Sequence, residues 1–217
     1  MILLLDHSTP HGQVALADAD ADRLVDTFPI PPRKRHNVDL MVAVAELCGK
    51  HDVRPADLAA VSLTLGPGSF TGLRVAVATA KMLALASPQP DFQVVGVPNL
   101  DLLHRQHPGA LIALNIKRGT AWSVGPDELD LPPAFRPLDE IQNLAAQHDL
   151  PIVAEKLDGA IPPQPDLQTL LDLVHAEAPG PSTLHRDPLT LAPAYLREPE
   201  AVTLWNERED QENPAKP

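Results

Sequence analysis

Cysteine is almost missing from this 217-residue chain: Cys48 stands alone, so no internal disulfide forms and the composition suits a reducing compartment. Cys48 also lies inside an apolar helical pattern, which makes it a core residue before a nucleophile. Positive charge is short, with 17 Lys and Arg against 29 Asp and Glu, a net charge of −12 and a pI near 5.0. That balance argues against a chain that grips nucleic acid by itself, because phosphate binding needs a basic surface that releases counterions. The one dense basic run, Arg33-Lys34-Arg35-His36, reads as a solvated loop entering a helix. Long apolar runs are missing too. After Met1 only Ile2 to Leu5 are continuously apolar, with no basic flank, so the opening is expected to be neither a secretory leader nor a membrane span, and the protein to be cytoplasmic.

What is present is ordinary for a globular protein, 44% apolar and 21% charged, which excludes a disordered chain, a collagen and a coiled coil. Proline is the exception. There are 25 prolines against 11 glycines and seven aromatics, with 9 of the prolines in residues 1–100 and 16 in residues 101–217. The two halves are therefore built differently, and the length admits one large domain or two small ones.

Aliphatic runs and turn residues give the order of elements. Strands are predicted at 2–6, 13–17 and 23–28, then prolines 29, 31 and 32 forbid regular structure. Asn37 is a plausible N-cap for a helix reaching Lys50. A strand at 59–65, a loop at 66–72, a helix to Ala86, a strand at 92–97 and a helix at 98–106 follow. This order, β-β-β-α-β-α-β-α, is that of a ribonuclease-H-like domain. From Gly109 the pattern restarts weakly: strands at 110–116 and 120–124, a proline-broken stretch, a helix at 138–148, a strand at 151–154 and a helix at 166–177. The second half reads as a degraded copy. The expected division is 1–108, 109–197 and a disordered acidic tail at 198–217, where six acids meet two bases.

Positions three and four apart share a helix face. In the first helix Val38, Met41, Val42, Ala45 and Cys48 form one apolar stripe, Leu40, Val44 and Leu47 a second, and Asp39, Ala43, Glu46 and Lys50 a mainly polar third. Two apolar stripes exceed what one sheet requires, so this helix should pack against two things. The second helix is rich in alanine (Ala76, Ala78, Ala80, Ala84, Ala86), which permits close approach from several sides.

The sharpest motif is Gly66-Pro67-Gly68-Ser69-Phe70-Thr71-Gly72 between a strand and a helix, where helix-terminal N–H groups can hold an anion. It is neither a Walker A loop, since Leu73 and Arg74 follow Gly72, nor the dinucleotide fingerprint, since Thr stands at 71. By itself it reads as a structural turn: Ser69 caps the helix, Phe70 is an apolar anchor and Arg74 sits one turn in. Asp6, at the end of the first strand, is where ribonuclease-H-like nucleases hold metal and actin-like or sugar-kinase ATPases place a phosphate loop. A nuclease needs more carboxylates, and the fourth strand ends without one at Thr64-Leu65-Gly66. The matching turn of the second half holds Asn115, which cannot replace a carboxylate, so Asp6 reads as a turn-capping residue. His7 with His11, and His104 with His107, fall in a turn and at a frayed helix end, and read as bland rather than as metal ligands.

The segment Leu65-Gly66-Pro67-Gly68-Ser69-Phe70-Thr71-Gly72-Leu73-Arg74-Val75, with Ala78-Thr79-Ala80-Lys81 after it, resembles the signature of the TsaB (YeaZ) family of transfer RNA threonylcarbamoyladenosine synthesis. The opening Asp6-His7-Ser8-Thr9, the His36 to Leu40 helix start, Val94-Val95-Gly96-Val97-Pro98-Asn99-Leu100 and Pro193-Ala194-Tyr195-Leu196-Arg197 extend the likeness. His7, Asn37-Val38, Asn115, Val75-Ala76-Val77 and Lys117-Arg118-Gly119-Thr120 depart from the family's pattern.

The resemblance implies an α/β, actin-like ATPase fold with two subdomains, no catalytic residues of its own, no metal and no cofactor. ATP would be used by its partners. Those partners would be a catalytic paralogue of the TsaD type, which modifies adenosine 37 of transfer RNAs reading ANN codons, and a small P-loop ATPase of the TsaE type. A second copy of the chain is the other expected companion, transfer RNA being held mainly by the partners and no membrane being involved. The implied partner-binding residues are Val38, Met41, Val42, Ala45, Cys48, Phe70, Arg74, Ala78, Lys81 and Met82. Asp6, Ser8, Gly66, Gly68 and Ser69 would form a vestigial nucleotide or turn site. A stand-alone actin-like ATPase or sugar kinase is the enzyme-class alternative, and a metallopeptidase a third reading.

Overall fold

Alternation along the first strand decides the layering of the molecule. Every residue of β1 (Ile2–Asp6) is buried, and a continuous aliphatic run is what a strand covered on both faces requires. Leu3 and Leu5 join one core while Ile2 and Leu4 join another. A computed structural model describes residues 1–30, 39–175 and 185–196. The basic run at 33–36, Asn37, Val38 and the acidic stretch 198–217 lie outside the described residues.

β1 pairs antiparallel with β2 (Gln13–Asp18), which pairs antiparallel with β3 (Arg23–Pro29). On its other side β1 runs parallel to β4 (Ala60–Thr64), which runs parallel to β5 (Gln93–Val97). The sheet order is β3-β2-β1-β4-β5. α1 (Asp39–Lys50) and α2 (Phe70–Ala86) cover one face through Leu40, Val44, Leu47, Ala76 and Ala80. α3 (Asn99–Gln106) takes Pro98 as its N-cap and lies on the opposite face.

The second half repeats the plan. β6 (Leu111–Lys117), β7 (Thr120–Val124) and β8 (Ala134–Pro137) form an antiparallel meander, and β9 (Ile152–Ala154) runs parallel to β6, giving β8-β7-β6-β9. β8 lies within the stretch read from sequence as proline-broken, and it is an edge strand, where proline is tolerated. α4 (Leu138–His148) covers one face through Ile141 and Ala145. α3 covers the other through Leu100 and Leu103, and its Leu102 faces the first sheet. α3 is therefore the seam between the sheets.

The copy is shortened after β9. In place of a fifth strand the chain crosses back, and α5 (Leu167–His175) buries Leu167, Leu170, Leu171 and Val174 against the first sheet. Residues 185–196 return there as well: His185 exchanges backbone hydrogen bonds with Gly96, and Leu191 enters the core between sheet, α1 and α2. The layers run α1 and α2, first sheet, α3 and α5, second sheet, α4. This is the mixed, duplicated α/β architecture of the ribonuclease-H-like, actin-like class.

Two readings of the first helix need correcting. Ala43, assigned to a mainly polar face, is fully buried, and Cys48, assigned to the partner-binding stripe, is 5% exposed in the core. The polar face is instead shared by Glu46 with the exposed apolar residues Met41, Val42 and Ala45.

Candidate functional site

At the end of β1, where related folds place phosphate chemistry, Asp6 is fully buried and turned to structural use. Its Oδ1 accepts hydrogen bonds from the Ser8 backbone N–H (3.0 Å), the Ser8 hydroxyl (2.6 Å) and the Thr64 hydroxyl (2.8 Å). Oδ2 has no hydrogen-bond partner among the described residues. Burial pushes the Asp6 carboxyl above its ordinary value, and the bonds from Ser8 and Thr64 oppose that shift without cancelling it.

The 66–72 loop closes directly over this turn. Ser69 N–H donates to the Ser8 carbonyl at 2.7 Å, and the Ser69 hydroxyl accepts from Gly72 N–H at 3.2 Å, capping α2. Asn99 ties the pieces together. Its Oδ1 accepts from Gly66 N–H (2.9 Å) and its Nδ2 donates to the Ser8 hydroxyl (2.8 Å) and the Pro67 carbonyl (3.3 Å). A Cβ on Gly68 would sit within 3.0 Å of Ser8 backbone atoms, and one on Gly72 within 3.0 Å of the His7 carbonyl oxygen. The glycines of the motif are thus close-approach residues, and the loop fills the space in front of Asp6. Asp6, Ser8, Gly66, Gly68 and Ser69 are brought together as expected. Thr64 and Asn99 complete the network, although sequence reasoning missed them. The signal for Thr64 is register: parallel β1 and β4 pair Leu5 with Leu63, which sets Thr64 level with Asp6.

A second feature lies on the outer side of the molecule. Phe70, Arg74, Ala78 and Met82 of α2 are exposed and follow one another at intervals of four, the spacing that builds a ridge. Met82 is 59% and Leu85 90% exposed. Met41 of α1 joins Met82, Leu83 and Leu85 in lining an apolar groove between the two helices, with Val42 and Ala45 exposed on α1 nearby in sequence. Lys81 is half-buried and its Nζ donates to the Leu189 carbonyl at 3.3 Å. Phe70 is no apolar anchor. It is 53% exposed and carries the Arg74 guanidinium over its ring, 3.7 Å from the centroid, while Arg74 Nε donates to the Tyr195 hydroxyl at 2.7 Å. Tyr195 is a further residue whose contribution to this face was not read from the sequence.

The other flagged residues do not converge. Among the described residues no three His, Cys, Asp or Glu side chains are grouped to hold a metal ion. His104 Nε2 contacts the Gly125 carbonyl at 3.2 Å, and His107 ends α3. Asn115, inside β6 where its pairing with β7 shifts register, and Arg118, in the β6–β7 turn, adopt left-handed backbone. No described helix is long and apolar enough to cross a membrane.

Comparison with known proteins agrees with this fold. Residues 28–109 match the family described as TsaD: tRNA N6-adenosine threonylcarbamoyltransferase. The tRNA threonylcarbamoyladenosine biosynthesis protein TsaB of Bacillus subtilis is 29% identical over 123 residues, covering 56% of this chain and 53% of that protein. The TsaB protein of Buchnera aphidicola is 25% identical over 128 residues, covering 56% and 58%. A Pseudomonas aeruginosa crystal structure described as similar to peptidase YEAZ superimposes with a TM-score of 0.63 at 21% identity, covering 90% of this chain and 99% of that one. A second, YeaZ from Pseudomonas aeruginosa, gives 0.57 at the same identity and coverage. The chain is similar to TsaB (YeaZ) proteins in sequence over part of its length and in fold over most of it. The matched stretch spans about half the length of the curated TsaB relatives, whereas the TsaB-type fold is shared over nearly the whole of the solved structures. The 66–72 loop, which resembles the TsaB signature, is what seals the Asp6 turn in this chain.

Proposed function

We propose that this chain is the non-catalytic scaffold and activator of the machinery that forms N6-threonylcarbamoyladenosine at position 37 of transfer RNAs reading ANN codons. It pairs with the catalytic, TsaD-type paralogue through the exposed faces of α1 and α2, and a TsaE-type P-loop ATPase supplies ATP turnover. A second copy of the chain takes the same face when the paralogue is absent. The observation that carries the reading is the apolar surface of Met41, Val42, Met82 and Leu85 on two packed helices, exposed among the described residues. Contiguous apolar surface on a protein otherwise charged at −12 marks a docking site. The filled space before Asp6 supports the non-catalytic part.

Two experiments test the reading. Met41→Asp or Ala45→Asp should abolish co-purification with the paralogue while the melting temperature stays within a few degrees, because both positions are exposed; unchanged co-purification would overturn it. The pure chain should also show no steady ATP turnover. Turnover that is lost in Asp6→Ala would instead favour a stand-alone ATPase.

A further inference from the structure

The guanidinium of Arg74 is held by two aromatic side chains of its own chain. Its Cζ lies 3.7 Å over the Phe70 ring and 5.6 Å from the Tyr195 centroid, the two rings being 5.5 Å apart, and Nε donates to the Tyr195 hydroxyl. Tyr195 is itself fixed. Residues 185–196 form a strap that pairs with Gly96 at His185, inserts Leu191 into the core and returns a hydrogen bond from Ala194 N–H to the Leu65 carbonyl at 2.8 Å.

The bond from Nε to Tyr195 uses one edge of the guanidinium, and the Phe70 ring covers one of its faces. Its two terminal nitrogens make no hydrogen bond among the described residues, and the Tyr195 hydroxyl, having accepted from Nε, keeps a proton to donate. Three donors are therefore presented outward, with the side-chain entropy of Arg74 already lost in the free protein. α2 holds Arg74 and Lys81 and no acid, in a chain of net charge −12. This is the planar fork that accepts an oxyanion through two parallel bonds.

We propose that Arg74, positioned by Phe70 and Tyr195, is the carboxylate anchor of the α1–α2 face: it receives an Asp or Glu side chain of a protein partner on its two terminal nitrogens, with the Tyr195 hydroxyl as third donor. The inference rests on the reading of that face as the partner-binding surface, and it names the chemistry the partner must bring. A carboxylate fits better than a nucleic-acid phosphate. The cation sits on a ridge continued by Ala78 and Met82, which suits a folded protein surface with an acid set among apolar side chains, and the overall negative charge repels a polyanion.

The test is titration calorimetry of the full chain against the purified catalytic paralogue at two salt concentrations, with melting temperatures of each variant. Arg74→Met is expected to weaken binding about 10- to 100-fold, as loss of a central arginine anchor does, and to flatten the salt dependence. Arg74→Lys should recover little, because a point charge cannot form the fork, and Tyr195→Phe should weaken binding about threefold or more through loss of one hydrogen bond. Melting temperatures should hold, since both positions are exposed. Arg74→Met binding within twofold of the parent overturns the anchor. So does a loss of transfer RNA binding by Arg74→Met with paralogue binding intact, which would assign the fork to phosphate. Absence of binding by the parent chain, or unchanged binding by Met82→Asp, overturns the reading of the face itself and the anchor with it.

Discussion

Replacing Gly72 by alanine adds one methyl group at the place where α2 begins and the Asp6 turn passes beneath it. The new Cβ would fall within 3.0 Å of the His7 carbonyl oxygen and 3.2 Å from its carbon, and both are backbone atoms that no rotamer change can move aside. The start of α2 must retreat. That movement breaks the 2.7 Å bond from Ser69 N–H to the Ser8 carbonyl and strains the Asn99 bonds to Gly66 and Ser8. The broken bond at about 1 kcal/mol, the two strained bonds at about half that each and overpacking of about 1 to 3 kcal/mol give a loss of about 3 to 5 kcal/mol. For a chain of this size that lowers the melting temperature by about 6 to 20 °C, measured by circular dichroism. Gly49→Ala is the matched control. Gly49 lies in α1 with nothing within 4 Å of its would-be Cβ, so alanine should stabilise by up to about 1 kcal/mol. A Gly72→Ala protein melting within 2 °C of its parent would refute the close-packed account of the signature loop.

The remaining predictions concern the same network and the crossing helix. Asp6→Ala strands the Ser8 and Thr64 hydroxyls and should cost about 2 to 4 kcal/mol by urea denaturation, whereas Asp6→Asn keeps the acceptor and should cost much less. Because burial raises the Asp6 value in the folded state, its contribution to stability is complete below the ordinary 3.8 and is lost as pH rises through the raised folded value. The stability of Asp6→Asn relative to the parent should therefore increase with pH across that window, and a flat difference would contradict the assignment. Leu170→Ala, in the buried face of α5 against the first sheet, should cost about 2 to 5 kcal/mol; a loss under about 1 kcal/mol would mean that α5 does not pack there.

Much of the architecture was legible because the chain states it twice. Aliphatic runs such as Ile2 to Leu5 mark strands covered on both faces, and a weaker order of two strands and then a helix restarts after Gly109. β8 was hidden by Pro132, Pro133 and Pro137, which argue against a strand unless it is known to be an edge. The return of α5 and of residues 185–196 to the first sheet was not legible either, since an amphipathic helix shows that it packs but not against what. α1 shows the same limit more finely. Ala43 and Cys48 are buried while Val42 and Ala45 are exposed, and a wheel of small apolar residues does not say which stripe faces the sheet. At the site, the sequence reads Asp6 as a turn residue for want of further carboxylates, and in the structure its Oδ1 accepts from the Ser8 N–H two residues on. Thr64, Asn99 and Tyr195 stayed hidden because their partners lie 58, 91 and 121 residues away.

The central claim is that the uncovered face of α1 and α2 docks the catalytic paralogue. Native mass determination of the chain alone, the paralogue alone and their mixture tests it most directly, repeated with Met82→Asp. The account predicts a mixed species containing both chains for the parent and only the separate masses for the variant. A mixture of parent and paralogue that shows no joint species, or a Met82→Asp chain that still forms one, would contradict it.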